Sequence, residues 1–110
     1  MIAIRPPTAL ILALGATLAT LQPLSAQGLR GNAESGRHTA INLCSGCHRV
    51  DSSTFGIFAA DFTEIAKLPS TTALSLRVFV QSSHKNMPNI MLEPEQSDDV
   101  IAYIMSLKRR

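Results

Sequence analysis

Two thiols and an imidazole stand together in Cys44-Ser45-Gly46-Cys47-His48, and the chain has no other cysteine. A C-x-x-C-H run is the pattern of covalent haem attachment. Two thiols at that spacing can add to the two vinyl groups of a porphyrin, and the histidine that follows is then set beneath the iron with its imidazole as proximal ligand. Two other chemistries use paired cysteines. A thioredoxin-like dithiol needs a strand and helix pattern for which this chain has no room, and it leaves His48 without a role. A zinc site needs two further ligands, and the remaining histidines, His38 and His84, stand at spacings unlike those of a zinc finger or ribbon.

A six-coordinate haem iron takes a second axial ligand, for which the chain downstream of its N-terminal leader offers Met87, Met91, Met105, His38 and His84. Met105 and His38 fall inside helical segments. Met87-Pro88 falls in an inter-helix loop spanning Ser83 to Glu93, which can fold over the opposite face of a porphyrin. Pro88 fixes one backbone dihedral and stops the stretch from continuing as helix, so the thioether of Met87 is held in place. Met87 is therefore the expected distal ligand, with Met91 and His84 as alternatives. Met91 and Met105 otherwise read as flexible fillers of core gaps.

The elements that must position these groups are helices. Asn32 is an N-cap for a helix to about Leu43, with Ile41 and Leu43 near its inner face. Gly36 in its middle costs up to about 1 kcal/mol relative to Ala, a cost that a close helix crossing would justify. Ser70 to Thr72 cap a second helix reaching about Ser82, in which Leu76, Phe79 and Val80 share one face; the ordinary reading is a core stripe, and its functional version makes the same stripe one wall of a haem pocket. A third starts at Pro94, passes Glu95 and ends in Lys108 to Arg110, with Val100, Ile104 and Leu107 on one face. Ser52 to Gly56 reads as a loop, and Asp61 or Thr63 starts a short helical turn ending at Leu68-Pro69. Strand alternation, repeats and low-complexity tracts do not occur, so the expected class is all-α.

The chain is 110 residues long. Residues 1–26 have the form of a secretory signal: Arg5, then an apolar run from Ala9 to Leu21, then a cleavage site after Leu24-Ser25-Ala26. As a helix that run reaches only ~20 Å against a ~30 Å hydrocarbon thickness, which makes an uncleaved anchor the weaker reading. The fold is then left to residues 27–110, one small domain in an exported, periplasmic compartment where paired thiols do not stay free. With four Phe, one Tyr and no Trp, that domain needs something else to fill its interior. A formal net charge of +2, with no basic stripe interleaved with aromatics, argues against nucleic acid. No segment after residue 26 is long and apolar enough for stable membrane insertion.

On these residues the sequence resembles the class I c-type cytochromes, small soluble monohaem proteins, over essentially all of residues 27–110. The likeness is carried by Gly36, by Cys44, Cys47 and His48, by Leu76 to Val80 leading into His84 and Met87-Pro88, and by the ending Asp99-Val100-Ile101-Ala102-Tyr103-Ile104. It implies three main helices wrapped around one covalent haem c, thioethers from Cys44 and Cys47, iron ligation by His48 and Met87, and a crossing of the first and last helices near Gly36 and Tyr103. Two departures stand out. No Pro occurs from Arg49 to Leu68, where the family commonly has one beside the carbonyl that orients the proximal imidazole; a carbonyl around Ala59 to Asp61 is the expected substitute, since a backbone oxygen needs no particular side chain. Ala40 replaces a common aromatic, implying a closer crossing or a gap filled by Phe79 or Tyr103.

The implied function is electron transfer rather than enzymatic catalysis. The donor would be a dehydrogenase or quinol-oxidising complex and the acceptor an oxidase or reductase. With only Lys67, Lys85 and Lys108 present, a lysine-ringed docking face is not expected; Arg49 and Lys85 are candidate rim contacts, or plain solvated charges. The alternatives are an open-iron protein that captures a small gas or peroxide, and a dedicated electron-transfer subunit of one enzyme. If the porphyrin is the centre of the core, a Cys44→Ser, Cys47→Ser double variant made without haem should show little helix by circular dichroism, and a cooperative native-like melt would refute that dependence.

Overall fold

The computed structural model describes residues 30–110; the leader and its cleavage point lie outside the described residues. Four helices follow one another: α1 (Ala33–Leu43), α2 (Phe62–Lys67), α3 (Ala73–Gln81) and α4 (Pro94–Leu107). Among the described residues there is no strand, so the all-α expectation holds. No helix among them is long and apolar enough to cross a membrane.

Local chemistry sets each boundary. The Asn32 side chain accepts from the backbone N–H groups of Glu34 and Ser35 at 2.9 and 3.0 Å, satisfying two of the orphan donors at the start of α1. Asp61 does the same for Thr63 at 2.7 Å, so the short turn anticipated after Gly56 is a helix of six residues, stopped ahead of Pro69. Thr72 and Ser75 form a reciprocal capping box at the start of α3. Pro94 occupies the first turn of α4, where its missing N–H costs nothing, and the Gln96 side chain accepts from Glu93 N–H at 3.1 Å.

α1, α2 and α3 each pack on α4 rather than on one another. That arrangement explains why α4 is buried on more than the one predicted face: Val100, Ile104 and Leu107 are in the core as expected, and Ile101, Ala102 and Tyr103 join them. Ala40, Val50, Phe62, Ala66 and Leu76 complete the cluster, with Met105 packed against it as a gap filler.

Three expectations need correcting. Leu43 is exposed rather than inward, because α1 turns its Gly36–Ala40 face to α4. Phe79 is 53% exposed, so it neither completes the α3 core stripe nor fills the space beside Ala40, which is closed by the near approach of α4. Met91 is 85% exposed and fills no core gap.

The α1–α4 crossing is a backbone-on-backbone contact. A Cβ at Gly36 would overlap the Asp99 carbonyl, and one at Gly31 would overlap that of Asp98. Asn32 N–H donates to the Asp99 carboxylate at 2.6 Å, and Arg77 on α3 pairs with Asp98. Two successive aspartates of α4 thus hold α1 and α3. Gly36→Ala should therefore cost about 2–3 kcal/mol in urea denaturation as the helices are forced apart. Gly46→Ala, whose Cβ meets open space, should stay within about 0.5 kcal/mol of the parent. Equal behaviour of the two variants would place the crossing elsewhere.

Candidate haem-attachment site

α1 delivers the motif. Its last turn runs into Cys44, whose N–H donates to the Ala40 carbonyl at 2.8 Å. The chain then tightens, with Cys47 N–H and His48 N–H both reaching the Cys44 carbonyl, at 3.1 and 2.9 Å. Both cysteines are free thiols. Cys44 packs against the core and Cys47 is exposed, so the pair straddles the boundary between interior and solvent. Burial pushes the Cys44 thiol up to about 11.

The His48 imidazole is fixed by the segment that follows it. Its Nδ1 lies 2.7 Å from the Ala60 carbonyl, inside the Ala59–Asp61 window that the resemblance implies. A carbonyl only accepts, so Nδ1 carries the proton, and the tautomer this selects is the one that presents Nε2 to a metal. Phe62 packs against the ring with centroids 5.3 Å apart, and Tyr103 packs behind Phe62 at 6.5 Å.

The backbone between them has no regular structure yet is thoroughly bonded. Phe58 and Ala59 N–H both donate to the Cys47 carbonyl at 3.1 Å, and Phe62 N–H donates to the Arg49 carbonyl at 3.0 Å. Tyr103 O–H donates to the Val50 carbonyl at 3.0 Å, and Val50 N–H donates to Thr54 Oγ1 at 2.8 Å. A Cβ at Gly56 would overlap the His48 carbonyl, so only glycine lets the loop close on the motif. Gly56 was not singled out from the sequence; a lone glycine between Phe55 and Ile57 was the available signal.

Met87 sits in the α3–α4 connection, half-buried, its N–H donating to the His84 carbonyl at 2.9 Å. The turn puts Lys85 in the left-handed region at φ 48°, where a side chain costs about 1–2 kcal/mol. His84 packs edge-on against Phe79 with centroids 5.2 Å apart. His38 pairs with Glu34 at 3.2 Å on the outer side of α1. Among the described residues, no hydrogen bond or ring contact joins the Cys44–His48 segment to the Met87 loop, and no three His, Cys, Asp or Glu side chains gather as a metal site would require. His48 and Met87 thus belong to two connections carried by separate helices, both referenced to α4. Large apolar side chains exposed at the surface include Leu43 at the end of α1 and Leu74, Val78 and Phe79 on α3.

The residues therefore fit the group that the motif implies in their chemistry: two free thiols at the attachment spacing, an imidazole whose Nδ1 is engaged by a carbonyl, and a thioether in a constrained turn. Arg49 is exposed and lies 3.9 Å from Asp61, a weak surface pair, while Lys85 is exposed at the tip of the Met87 turn.

An ion pair straps the segment after the motif to α1. Arg37 donates from Nε to Asp51 at 2.8 Å, beside a cavity of about 320 Å³ that Val50, Tyr103 and Arg110 also line. Hydrogen bonds from Ser53 O–H and N–H, together with Arg37, hold the Asp51 carboxyl below its ordinary value. A carboxyl lowered by folding adds stability above the unfolded value of about 3.9, and loses it as pH falls through the lower folded value. Asp51→Asn should therefore flatten the acid limb of the stability profile below about pH 4 and leave its neutral-to-alkaline shape unchanged. Thermal melts across pH 2.5–7, the range bracketing the carboxylate titration, measure this, and parallel acid limbs would contradict it.

No protein-family model matches the chain, and no curated protein or solved structure is significantly similar to it, so its own residues and their geometry are what a functional reading stands on.

Proposed function

We propose that this chain is a periplasmic electron carrier of the class I cytochrome c type, holding one haem through thioethers of Cys44 and Cys47 and ligating its iron with His48 and Met87. The observation that carries the reading is the His48–Ala60 hydrogen bond, which presents Nε2 as a metal ligand within a C-x-x-C-H motif whose thiols are both free. Bound there, the haem supplies a one-electron couple. The protein contributes the rest. Ala60 holds the imidazole in one tautomer and orientation, and Phe62 and Tyr103 back it from the core. Met87 offers the thioether from a turn closed by His84 and stiffened by Pro88.

Ligation by both His48 and Met87 would leave the iron no position for a substrate, which favours electron transfer over gas capture or peroxide chemistry. Dehydrogenase or quinol-oxidising donors and oxidase or reductase acceptors are the partner classes that such a couple serves. Export of the chain follows from residues 1–26 acting as a signal.

Produced with a haem-attachment system and purified, the protein should keep its colour through denaturation and acidic solvent extraction. A colourless polypeptide with Cys44 and Cys47 joined as a disulfide would end the reading. Met87→Ala should abolish the sulfur-to-iron charge-transfer band of the oxidised protein and open the ferrous form to carbon monoxide, whereas Met91→Ala should change neither. Carbon monoxide binding by the unmutated ferrous protein would instead favour the open-iron alternative.

A further inference from the structure

The cavity beside the Arg37–Asp51 pair encloses about 320 Å³ between α1, the segment after the motif, α2 and the residues that follow α4. Cys44, Cys47, His48 and Met87 are not among its lining residues. Its walls carry donors without matching acceptors. Asp51 is the one acidic side chain lining it among the described residues, and that carboxylate is already saturated. Oδ2 accepts from Arg37 Nε at 2.8 Å and faces Nη2 at 2.6 Å, while Oδ1 accepts from Ser53 N–H at 2.8 Å and Ser53 O–H at 2.6 Å.

Arg37 keeps donors to spare. Its Nη1 stands 3.7 Å from the exposed Glu34 carboxylate, beyond hydrogen-bond range, and that carboxylate also faces His38 at 3.2 Å. Among the described residues Arg110 makes no ion pair, and the hydroxyls of Ser52 and Thr63 make no hydrogen bond. Tyr103 O–H is engaged by the Val50 carbonyl at 3.0 Å. Burial pushes the titration of that hydroxyl up and the Asp51 charge adds to this, while the charges of Arg37 and Arg110 oppose it. Both guanidinium groups therefore lie within electrostatic reach of one point on the cavity wall.

Free donors from four parts of the chain, two of them permanently cationic, call for a ligand that only accepts. A carboxylate presents two oxygens on one side. A tetrahedral oxyanion presents acceptors in four directions, which suits donors arriving from different walls. The cavity has the volume of roughly ten waters at about 30 Å³ each, room for one or two linked tetrahedra with their hydration. The surrounding field is favourable: Lys108 and Arg109 adjoin Arg110, against the exposed Glu64 next to Thr63.

We infer that this cavity binds an inorganic oxyanion of the phosphate class, held between Arg37 and Arg110 with the hydroxyls of Ser52 and Thr63 completing its shell. The bound ion ties the residues after α4 to α1 and α2, and so stabilises the fold by mass action. No covalent bond is made or broken, and the site stands apart from the haem reading.

Titrating the purified protein, with whatever haem it carries, with phosphate and then with pyrophosphate tests the site, provided that chloride holds the ionic strength constant. The amide NMR signals of Ser52, Thr63 and Tyr103 should shift saturably, with a dissociation constant on the order of 1 mM for phosphate and several-fold lower for pyrophosphate. Thermal melts should rise with either anion. Arg110→Gln should weaken binding by about tenfold and Thr63→Val by about threefold. Arg109→Gln, the same loss of charge one residue away, should leave binding within about twofold of the parent. Arg110 is exposed and Val is close to Thr in size, so both variants keep the fold in which binding is read. Signals that fail to saturate at constant ionic strength, or equal losses from Arg109→Gln and Arg110→Gln, would overturn the inference, because either leaves only the diffuse attraction of a basic segment.

Discussion

The structure depends on one close approach, the backbone of α1 lying directly on the backbone of α4 where Gly36 meets the Asp99 carbonyl. Helices with ordinary side chains between them keep their axes about 8–10 Å apart. Removing even one Cβ lets the peptide planes meet. The contact lies near the start of α1, and the Asn32 N–H reaching Asp99 locks the rotation of the helix as well as its distance. From Gly36 to Cys44 the helix rises about 12 Å as a rigid rod, so the crossing decides where the attachment motif begins. α2 and α3 are referenced to the same helix, α3 through the Arg77–Asp98 ion pair and through Lys108, which donates to the Thr71 carbonyl at 3.1 Å.

The stretch from Cys47 to Phe62 shows how an irregular segment can be as well defined as a helix. Backbone polar groups away from water must be paired, and here they are paired with one another and with α4. The carbonyls of Cys47, Arg49, Val50 and Ala60 accept, in turn, from Phe58 and Ala59 N–H, Phe62 N–H, the Tyr103 hydroxyl and the His48 ring. The buried Tyr103 hydroxyl is held neutral, its titration pushed up mainly by burial. This network replaces the rigidity that a proline would lend. The imidazole is aimed by a carbonyl whose position the loop fixes through many small bonds.

Much of this was legible in the sequence, for identifiable reasons. Caps are local chemistry, so Asn32, Asp61, Thr72 and Pro94 announced their helices within a residue or two. The Ala60 acceptor was bracketed by the resemblance to the class I c-type cytochromes, which implies a backbone acceptor in that stretch, and a backbone oxygen can serve there whatever the side chain. Burial was less legible. Leu43 and Phe79 lie at positions that a period of 3.6 assigns inward, yet the inward direction is set by where α4 lies, and α4 is distant in sequence. Met91 illustrates the same limit, since a flexible apolar side chain looks like core wherever it falls. Asp98, to which the sequence pointed no role, and Asp99 act as clamps on two different helices. Gly56 showed nothing of its contact with His48, because a glycine records only what cannot be there.

The two proposed ligands are held with unequal firmness, and that asymmetry bears on function. His48 is fixed by its own ring hydrogen bond, by Phe62, and by a loop bonded to the residue before it. Met87 rests on one turn hydrogen bond, on a Lys85 held at positive φ, and on a loop whose nearest ring contact is the exposed Phe79 edge against His84. The α3–α4 connection carries Lys85 at positive φ, and Lys85, Pro88 and Met91 in it are exposed, features of a segment that opens more easily than the core. A carrier benefits from this order. In the proposed reading the His48 side would have to stay rigid to keep a covalent attachment unstrained, while a Met87 ligand would need only to persist through a change of one charge on the metal. Any opening of the iron to a small ligand would start in residues 82–93, with His48 unmoved. The carrier and open-iron readings therefore differ in the strength of a single loop rather than in architecture, which is why the state of Met87 separates them.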